Sequence, residues 1–287
     1  MTLNHTELCK LALHCVKKMV VIIINRLKNW YESQLLDQQN GFISSRGTSE
    51  GIFIAKSVQR IADKMKKKVY ALFVDLSSAF DHVEREWLVK SIENRFPSHQ
   101  DQTLIQLFRS LYSCTTTSLA ETPMDKFSVN VGVRQGGPES PILYNLYMDI
   151  VMRIFINTCK NENLHFLKLK YKIPKKASST GNLAMGNFDV NWIGYADDIL
   201  VLFDNIASLK RGISILNGTF QRFRLEVNSK KTKTMIINQQ LDSKEYPVSI
   251  GKLEGKPFEN VKTYRYLGCE IKYDEPTTGE AEINLRT

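Results

Sequence analysis

The sequence has few cysteines, and none of them is arranged as a pair. The five cysteines are scattered along 287 residues without a Cys-x-x-Cys spacing, which argues against a zinc site and against a disulfide framework. Long apolar runs are also missing, because the longest one, residues 19–24, is far shorter than the roughly 20 residues that cross a bilayer. We therefore expect a soluble, intracellular protein from a reducing compartment.

Acidic residues are outnumbered by basic ones. The chain has 39 Lys and Arg against 30 Asp and Glu, a formal net charge of +9 and a pI near 9.2. Such an excess favours a polyanionic partner, either a nucleic acid or an anionic membrane surface. The sequence also lacks internal repeats, low-complexity segments and a clear linker, so we expect an ordinary globular chain.

Helical and strand-like patterns mix without strict alternation, which favours an α+β fold over a doubly wound sheet. Helical spacing is found over residues 8–35, 52–65, about 78–95, 101–112, from about 141 onward, and 206–223. Strand-like content is found at 69–76 and, as a single strand, at 264–273, while 160–190 predicts a hairpin or a long loop. Ser78 and Asp81 have the spacing of a capping box at the start of the third helix.

Two adjacent acids interrupt an apolar run. In IGYADDILVLF, residues 193–203, strand-like residues flank Asp197 and Asp198, which is typical of a β-hairpin with the acids at its tip. Buried carboxylates are normally neutralised, paired or bound to metal, and a divalent cation such as magnesium suits two of them. Asp75 ends another apolar strand and is a third candidate ligand. The alternatives are a plain Asp-Asp turn and a helix-capping role for Asp75.

Five ordered motifs carry a family resemblance. FVDLSSAFD, GVRQGGPESPILYNLYMD, YADD, LEVNSKKTK and YRYLGCEI follow one another, and with GFISSRGTSEG before them the resemblance extends across residues 42–272. The set resembles the palm and fingers motifs of reverse transcriptases, specifically those of non-LTR (LINE-like) retrotransposons. The chain departs from the family pattern at Ile43, where an arginine is usual, and near Glu139, where a leucine is usual.

The resemblance implies a two-metal site. Asp75 and Asp197 would be the main ligands of two magnesium ions, with Mn²⁺ as a substitute. Asp198 would support them, and the carbonyl of Leu76 would complete the shell. Lys231 would approach the leaving pyrophosphate, although a solvated lysine run explains it equally well.

The resemblance also implies nucleotide contacts. Phe80 would be the steric gate that blocks a 2′-hydroxyl and favours dNTPs, unless it is a core residue in the first turn of its helix. Gln135 and Gly136 would touch the incoming nucleotide and template; a glycine turn before a helix is the alternative. Arg46 would grip the triphosphate with its bidentate fork.

Two further contacts to nucleic acid are implied. Tyr266, Leu267 and Gly268 would form the primer grip, with a plain core strand as the alternative. A basic stretch would touch the template–primer backbone, or else be a solvated loop, and its lysines are Lys168, Lys170, Lys172, Lys175 and Lys176.

The implied fold is a right-hand polymerase, α+β, with an antiparallel palm sheet packed by helices and a thumb largely missing. The predicted divisions are fingers at about 1–70 and 93–128, palm at about 71–92 and 129–261, and the primer-grip strand with the start of a thumb at about 262–287. On this interpretation the chain is a fragment or a degenerate copy of a retrotransposon polymerase.

The implied function is RNA-directed DNA polymerase: two-metal transfer of dNMP from dNTP to a primer 3′-hydroxyl. The partners would be an RNA or DNA template with a DNA primer, in the nucleus or the cytoplasm, without a membrane. Two alternatives are a catalytically silent nucleic-acid-binding remnant and an RNA-templated RNA polymerase, against which the aromatic Phe80 speaks.

Overall fold

The structure is a computed structural model that describes residues 5–95, 99–113, 116–119, 122–173, 184–238, 247–253 and 255–274. The helices in these ranges are α1 (His5–Gln34), α2 (Thr48–Lys64), α3 (Arg85–Arg95), α4 (His99–Tyr112), α5 (Ser140–Asn161) and α6 (Ile206–Arg222). The strands are β1 (Val69–Val74), β2 (Leu76–Ser77), β3 (Thr116–Leu119), β4 (Thr122–Ser128), β5 (Leu167–Ile173), β6 (Ala184–Val190), β7 (Trp192–Tyr195), β8 (Asp198–Phe203), β9 (Glu226–Val227), β10 (Lys233–Ile237), β11 (Ser249–Leu253), β12 (Lys256–Glu259), β13 (Thr263–Tyr266) and β14 (Cys269–Lys272). The mixture of helices and antiparallel strands agrees with the predicted α+β class.

The chain divides into two compact units. Unit 1 contains the described residues within 1–36, 78–152 and 222–225, and unit 2 contains those within 37–77, 153–221 and 226–287. Unit 1 holds α1, α3, α4 and the β3–β4 hairpin, whereas unit 2 holds the largest sheet. The predicted fingers and palm boundaries are a functional division that this partition does not test, so they stay a prediction.

Aromatic contacts organise unit 1. The rings of Phe80 and Tyr144 are stacked, with centroids 4.5 Å apart and planes 8° from parallel. The hydroxyl of Tyr147 donates a hydrogen bond of 2.6 Å to the carbonyl of Phe223, and the two rings meet edge to face. Aromatic pairs of this kind contribute about 0.5–1.5 kcal/mol beyond their buried area. The first pair attaches the segment that follows β2 to helix α5, and the second attaches the segment that follows α6 to the same helix.

Unit 2 is built around a four-stranded antiparallel sheet. The strand order is β10-β1-β8-β7, so β1 is an inner strand with a partner on each side. Five of the six residues of β1 are hydrophobic and at most 2% exposed, namely Val69, Ala71, Leu72, Phe73 and Val74. Because this strand is buried on both faces, its sequence is a continuous apolar run and does not alternate with polar residues.

Each face of the sheet is covered by hydrophobic packing. On one face, alternate residues such as Ala71 and Phe73 join a cluster with Ala55 and Val58 of α2. Helix α6 packs against Phe203 of β8. Its Gly212 lies so close to the Phe203 ring that a Cβ on this residue would overlap the ring. Close packing of this kind tolerates little added volume.

Two predicted elements are wrong. The helix expected from residue 78 begins at Arg85, because residues 78–84 form turns and Ser78 has a positive φ of 46° that no helix accepts. Within that helix Trp87 is 51% exposed, whereas Leu88 and Ile92 are buried. The expected last strand is the β13–β14 hairpin, whose turn is made by Leu267 and Gly268 with φ of 50° and 85°.

The other expected elements are present. The helices at 8–35, 52–65, 101–112, after 141 and at 206–223 correspond to α1, α2, α4, α5 and α6, and 160–190 contains the β5–β6 hairpin. The β3–β4 and β11–β12 hairpins were not predicted. None of the helices within the described ranges has the length and apolar content needed to span a membrane.

The packing against Phe203 gives a first prediction. Gly212→Ala should lower the free energy of unfolding by about 1–3 kcal/mol, because the new methyl group overlaps a fully buried ring. Gly218 lies in the same helix with open space around its Cβ position, so Gly218→Ala should stabilise by about 0.5–1 kcal/mol through helix propensity.

Urea denaturation followed by circular dichroism measures both variants. Equal effects of the two substitutions would contradict the placement of α6 against Phe203.

Candidate active site

Register brings two of the predicted acids together. Val74 of β1 pairs with Ile199 of β8 in an antiparallel ladder. The next residues, Asp75 and Asp198, therefore follow side by side at the same end of the sheet. Directly opposite residues share a face, and alternation puts both on the face of Phe73. The prediction that these carboxylates converge on one end of the palm sheet is consistent with this geometry.

Asp197 lies in the turn of the hairpin. Tyr195 pairs with Asp198, so Ala196 and Asp197 form a two-residue loop between β7 and β8, as the sequence predicts. Ala196 has a φ of 55°, a conformation that hairpin turns usually give to Gly, Asn or Asp. The side chain of Asp197 is exposed at the tip, whereas Asp198 is half-buried.

Asp75 is fixed by the turn that precedes β10. Its amide donates to the Oγ1 of Thr232 at 3.2 Å, and its carbonyl accepts from the amide of Asn228 at 2.9 Å. Thr232 is 1% exposed, so this clamp is shielded from water. The same turn brings the Nζ of Lys231 to 3.7 Å from the Oδ2 of Asp75. The motif LEVNSKKTK thus anchors the backbone of Asp75 and supplies its counter-charge.

The carbonyl of Leu76 is turned away from β9. Because the amide of Asn228 donates to the carbonyl of Asp75, these two residues form a hydrogen-bonded pair. The neighbouring pair, Leu76 with Val227, is then a non-hydrogen-bonded one. The Leu76 carbonyl could bind a metal ion only if it points away from β9, as it does here. Its role as a metal ligand stays a prediction.

Burial and neighbouring charge raise the pKa of Asp197 and Asp198. Loss of hydration is the largest cause for both Asp197 and Asp198, and the charge of Asp75 adds to it. Asp198 also experiences the charge of Asp197, and Lys231 lowers both pKa values in part. Burial together with the charges of Asp198 and Asp75 raises the pKa of the Tyr264 hydroxyl to about 12. Ionising these clustered acids is therefore unfavourable, and the binding of a positive charge would relieve that cost.

The residues present fit a divalent cation in donor type. Carboxylate oxygens are the ligands that Mg²⁺ prefers, and the Oδ2 of Asp75 is buried without a hydrogen bond, its contact being the 3.7 Å ion pair with Lys231. Across the part of the chain that the structure describes, however, no three His, Cys, Asp or Glu side chains are already grouped as a closed metal site. The acids share one end of the sheet without enclosing an ion.

The predicted nucleotide contacts of unit 1 occupy one loop region. Phe80 lies in a turn, not in a helix, and its half-buried ring stacks on Tyr144. Gln135 is exposed, and its Nε2 donates to the Oδ1 of Asp81 at 3.1 Å. Gly136 has a φ of 78° and open space at its Cβ position, so glycine is needed there for its backbone conformation. Their nucleotide contacts stay predictions.

Arg46 is engaged within its own segment. Its Nη1 donates to the carbonyls of Asp37 at 2.7 Å and Gln39 at 3.1 Å, and its Nη2 lies 3.5 Å from the Asp37 carboxylate. In this arrangement the guanidinium orders residues 37–46. A triphosphate contact by Arg46 requires that these bonds be exchanged, and it stays a prediction.

The structure does not support a primer contact by Tyr266. This side chain is 2% exposed, and its hydroxyl donates to the carbonyl of Ile193 at 3.2 Å, so it belongs to the core. Leu267 is half-buried and Gly268 is exposed at the hairpin turn, where a primer contact stays a prediction. Tyr264 was not predicted as a site residue, yet it stacks on Phe73 with centroids 4.1 Å apart and is close enough to Asp198 and Asp75 for their charges to raise its pKa.

The predicted template-binding lysines lie mostly outside the described residues. Lys168 is exposed on β5, and its carbonyl accepts from the Nζ of Lys67 at 2.9 Å. The side chains of Lys170 and Lys172, and the whole of Lys175 and Lys176, lie outside the described residues.

An antiparallel sheet with acids after an inner strand and in the adjacent hairpin turn agrees with the polymerase palm that the sequence motifs implied. The family model described as "Reverse transcriptase (RNA-dependent DNA polymerase)" matches residues 9–271. The chain therefore belongs to the reverse transcriptase family.

Curated relatives specify the branch of the family. The chain is 25% identical over 272 residues to a Pol polyprotein of the type-1 retrotransposable element R2 from Nasonia vitripennis, covering 92% of this chain and 24% of the relative. It is 25% identical over 283 residues to the corresponding protein of the element R2DM from Drosophila melanogaster, covering 94% and 23%. The predicted non-LTR resemblance is confirmed. The chain spans about a quarter of the length of these relatives.

Solved structures support the fold. Apo telomerase from Candida tropicalis, truncated from its C-terminal domain, matches with a TM-score of 0.54 at 15% identity, covering 91% of this chain and 44% of that one. Telomerase from Candida albicans, solved with a fragment of telomeric RNA, matches with a TM-score of 0.53 at 16% identity, covering 86% and 36%. At these identities the likeness concerns the fold alone.

The raised pKa values give a prediction about stability. Without metal, Asp198→Asn should raise the free energy of unfolding at neutral pH, by less than about 1 kcal/mol because solvent screens a half-buried group. A carboxyl whose folded pKa is raised destabilises the fold when ionised, so the gain should shrink as pH falls from above the raised pKa towards the ordinary value of 3.8.

Thermal unfolding in EDTA at a series of pH values measures this effect. Asp63→Asn is the control, because that carboxylate pairs with Lys66 at the surface, away from the acidic group. A lower stability of Asp198→Asn at neutral pH would contradict the strained-acid account.

Proposed function

We propose that this chain catalyses DNA synthesis on an RNA template, adding dNMP from a dNTP to the 3′-hydroxyl of a DNA primer. The single observation that carries the proposal is the β1–β8 register, which sets Asp75 beside Asp198 next to the Asp197 turn. Two Mg²⁺ ions bound there would activate the attacking oxygen and stabilise the leaving one. The proposed substrates are the RNA template, the DNA primer and the dNTP.

The chain's own residues would then act by position and charge. Asp75 and Asp197 would hold the cations, with Asp198 raising the negative potential of the site. Lys231 is 68% exposed, so little is lost when its nitrogen leaves Asp75 for an anionic leaving group. Catalysis of phosphoryl transfer depends largely on such positioning and charge neutralisation.

The first test of function is primer extension. With Mg²⁺ or Mn²⁺, the chain should incorporate dTTP on poly(rA)/oligo(dT), and Asp197→Asn should lower the rate by about 10³-fold or more, because a carboxylate ligand becomes a neutral amide.

Binding of the hybrid, measured by fluorescence anisotropy, separates the outcomes. A folded wild-type chain that binds the hybrid without extending it would favour the alternative of a silent nucleic-acid-binding remnant. Equal extension by wild type and Asp197→Asn would refute the site.

Selection of the sugar is a second test. Phe80→Ala should reduce the preference for dTTP over UTP by about 10- to 100-fold, because removing the ring makes room for a 2′-hydroxyl. The observation behind this test is that Phe80 lies in a turn, half-buried, with its ring stacked on Tyr144.

Phe80→Tyr is the matched control, because it retains the ring and should retain the preference for dTTP. Competition between labelled dTTP and UTP in single-nucleotide extension gives the ratio directly. The steric-gate assignment fails if Phe80→Ala discriminates as well as the wild type.

A further inference from the structure

The segment between α1 and α2 contacts the strand that leads into the acidic turn. The amide of Asn40 donates to the carbonyl of Gly194 at 2.8 Å, and the amide of Gly194 donates to the carbonyl of Gln38 at 2.9 Å. Between these two hydrogen bonds, Gln39 and Gly194 form a parallel β-bridge. Residues 38–40 therefore extend the sheet beyond β7, its outermost strand.

Gln39 adds a side-chain contact to this pairing. The side chain is 2% exposed, and its Oε1 accepts hydrogen bonds from the amides of Asn40 at 3.1 Å, Gly41 at 3.1 Å and Ala196 at 3.2 Å. Ala196 is the residue immediately before Asp197. Removing this buried acceptor is costly, because the amides of Gly41 and Ala196 would lose the side-chain oxygen they donate to, whereas the Asn40 amide would keep its bond to the Gly194 carbonyl.

The turn that Gln39 contacts is strained and closely packed. Ala196 carries a Cβ at a φ of 55°, which is unfavourable for residues other than Gly, Asn and Asp. A Cβ on Gly41 would overlap the backbone nitrogen of Ala196, so only glycine permits this approach. Strained backbone of this kind persists only where its surroundings hold it.

Arg46 fixes the same segment from the other side. Its Nη1 donates to the carbonyl of Gln39 at 3.1 Å and to that of Asp37 at 2.7 Å. The backbone and the side chain of Gln39 are thus both held, and Gln39 links the ordered segment to the acidic turn.

From these contacts we propose that Gln39 is a positioning residue for Asp197. By accepting the amide of Ala196, it fixes the turn that aims the Asp197 carboxylate. Gln39 acts through Ala196 and belongs to neither the metal ligands nor the nucleotide contacts. The inference rests on the proposed function for its chemical consequence, whereas the fixing of the turn is a property of the chain itself.

The test compares Gln39→Met with Gln38→Met in the full chain. Methionine retains the length of glutamine but removes the amide oxygen. Gln38 is the matched control, since its own Oε1 accepts no hydrogen bond among the described residues and it contacts β7 through its backbone carbonyl. The same substitution is thus made at neighbouring positions, and only one of them contacts Ala196.

Two readouts do not require activity. Hydrogen–deuterium exchange at the Ala196 amide should become about 10- to 100-fold faster in Gln39→Met, and Mn²⁺ binding, followed by electron paramagnetic resonance, should weaken by about 10- to 100-fold. Gln38→Met should match the wild type in both. In primer extension, kcat should fall by the same order with an unchanged KM for dTTP.

The outcomes separate this inference from the proposed function. A wild-type chain that extends no primer counts against the function, while the exchange measurement still tests Gln39. Equal exchange of Ala196 in both variants, or equal loss of Mn²⁺ affinity, would overturn the inference. If Gln39→Met fails to fold, the wild type alone decides: an Ala196 amide that exchanges as fast as an exposed loop amide refutes the bond.

Discussion

The repulsion among three carboxylates at one end of the sheet is the constraint on which the rest of the structure depends. Strand register and the adjoining turn bring Asp75, Asp197 and Asp198 to one end of the sheet. Burial raises the pKa of Asp197 and Asp198, the charge of Asp75 raises both further, and the charge of Asp197 adds to that of Asp198. Two adjacent charges repel most strongly where water is partly excluded. A sheet buried on both faces can bear that cost, because its other contacts fix β1 and β8 whether or not the acids favour the arrangement.

The backbone around the acids is fixed from two directions. Thr232 and Asn228 hold the backbone of Asp75 on the side of β10, and Gln39 holds Ala196 at the turn between β7 and β8. These contacts use backbone amides and carbonyls, so the carboxylate oxygens are left for other ligands. Preorganisation of this kind costs no rearrangement when a cation or a nucleotide arrives.

The sequence predicted the parts of the site that depend on local pattern. The apolar residues on either side of Asp197 and Asp198 were enough to predict a hairpin with acids in its turn. The register that pairs Val74 with Ile199 was not predictable, because alternation specifies faces but not partners. The spacing of Ser78 and Asp81 suggested a capping box, yet the positive φ of Ser78 is set by the chain's path out of β2.

The burial of individual side chains was also not predictable from the sequence. Tyr264 and Tyr266 lie two residues apart with the same strand parity, and only the structure distinguishes the half-buried Tyr264, stacked on Phe73, from the buried Tyr266, bonded to Ile193. Gln38 and Gln39 are identical neighbours in a polar segment, and no local pattern indicates which of them is buried. Such differences arise from long-range packing, which overrides local preference.

The counter-ion of the site illustrates how stability and function are reconciled. Lys231 stands 3.7 Å from Asp75, but its side chain is 68% exposed, so the pair is weakly bound and screened. A buried arginine in its place would neutralise the acids more firmly and compete with a metal ion. A weak, exposed lysine instead relieves part of the repulsion in the metal-free chain and can be displaced at little cost. The strength of that ion pair is therefore limited by the site's need to accept positive charge from outside.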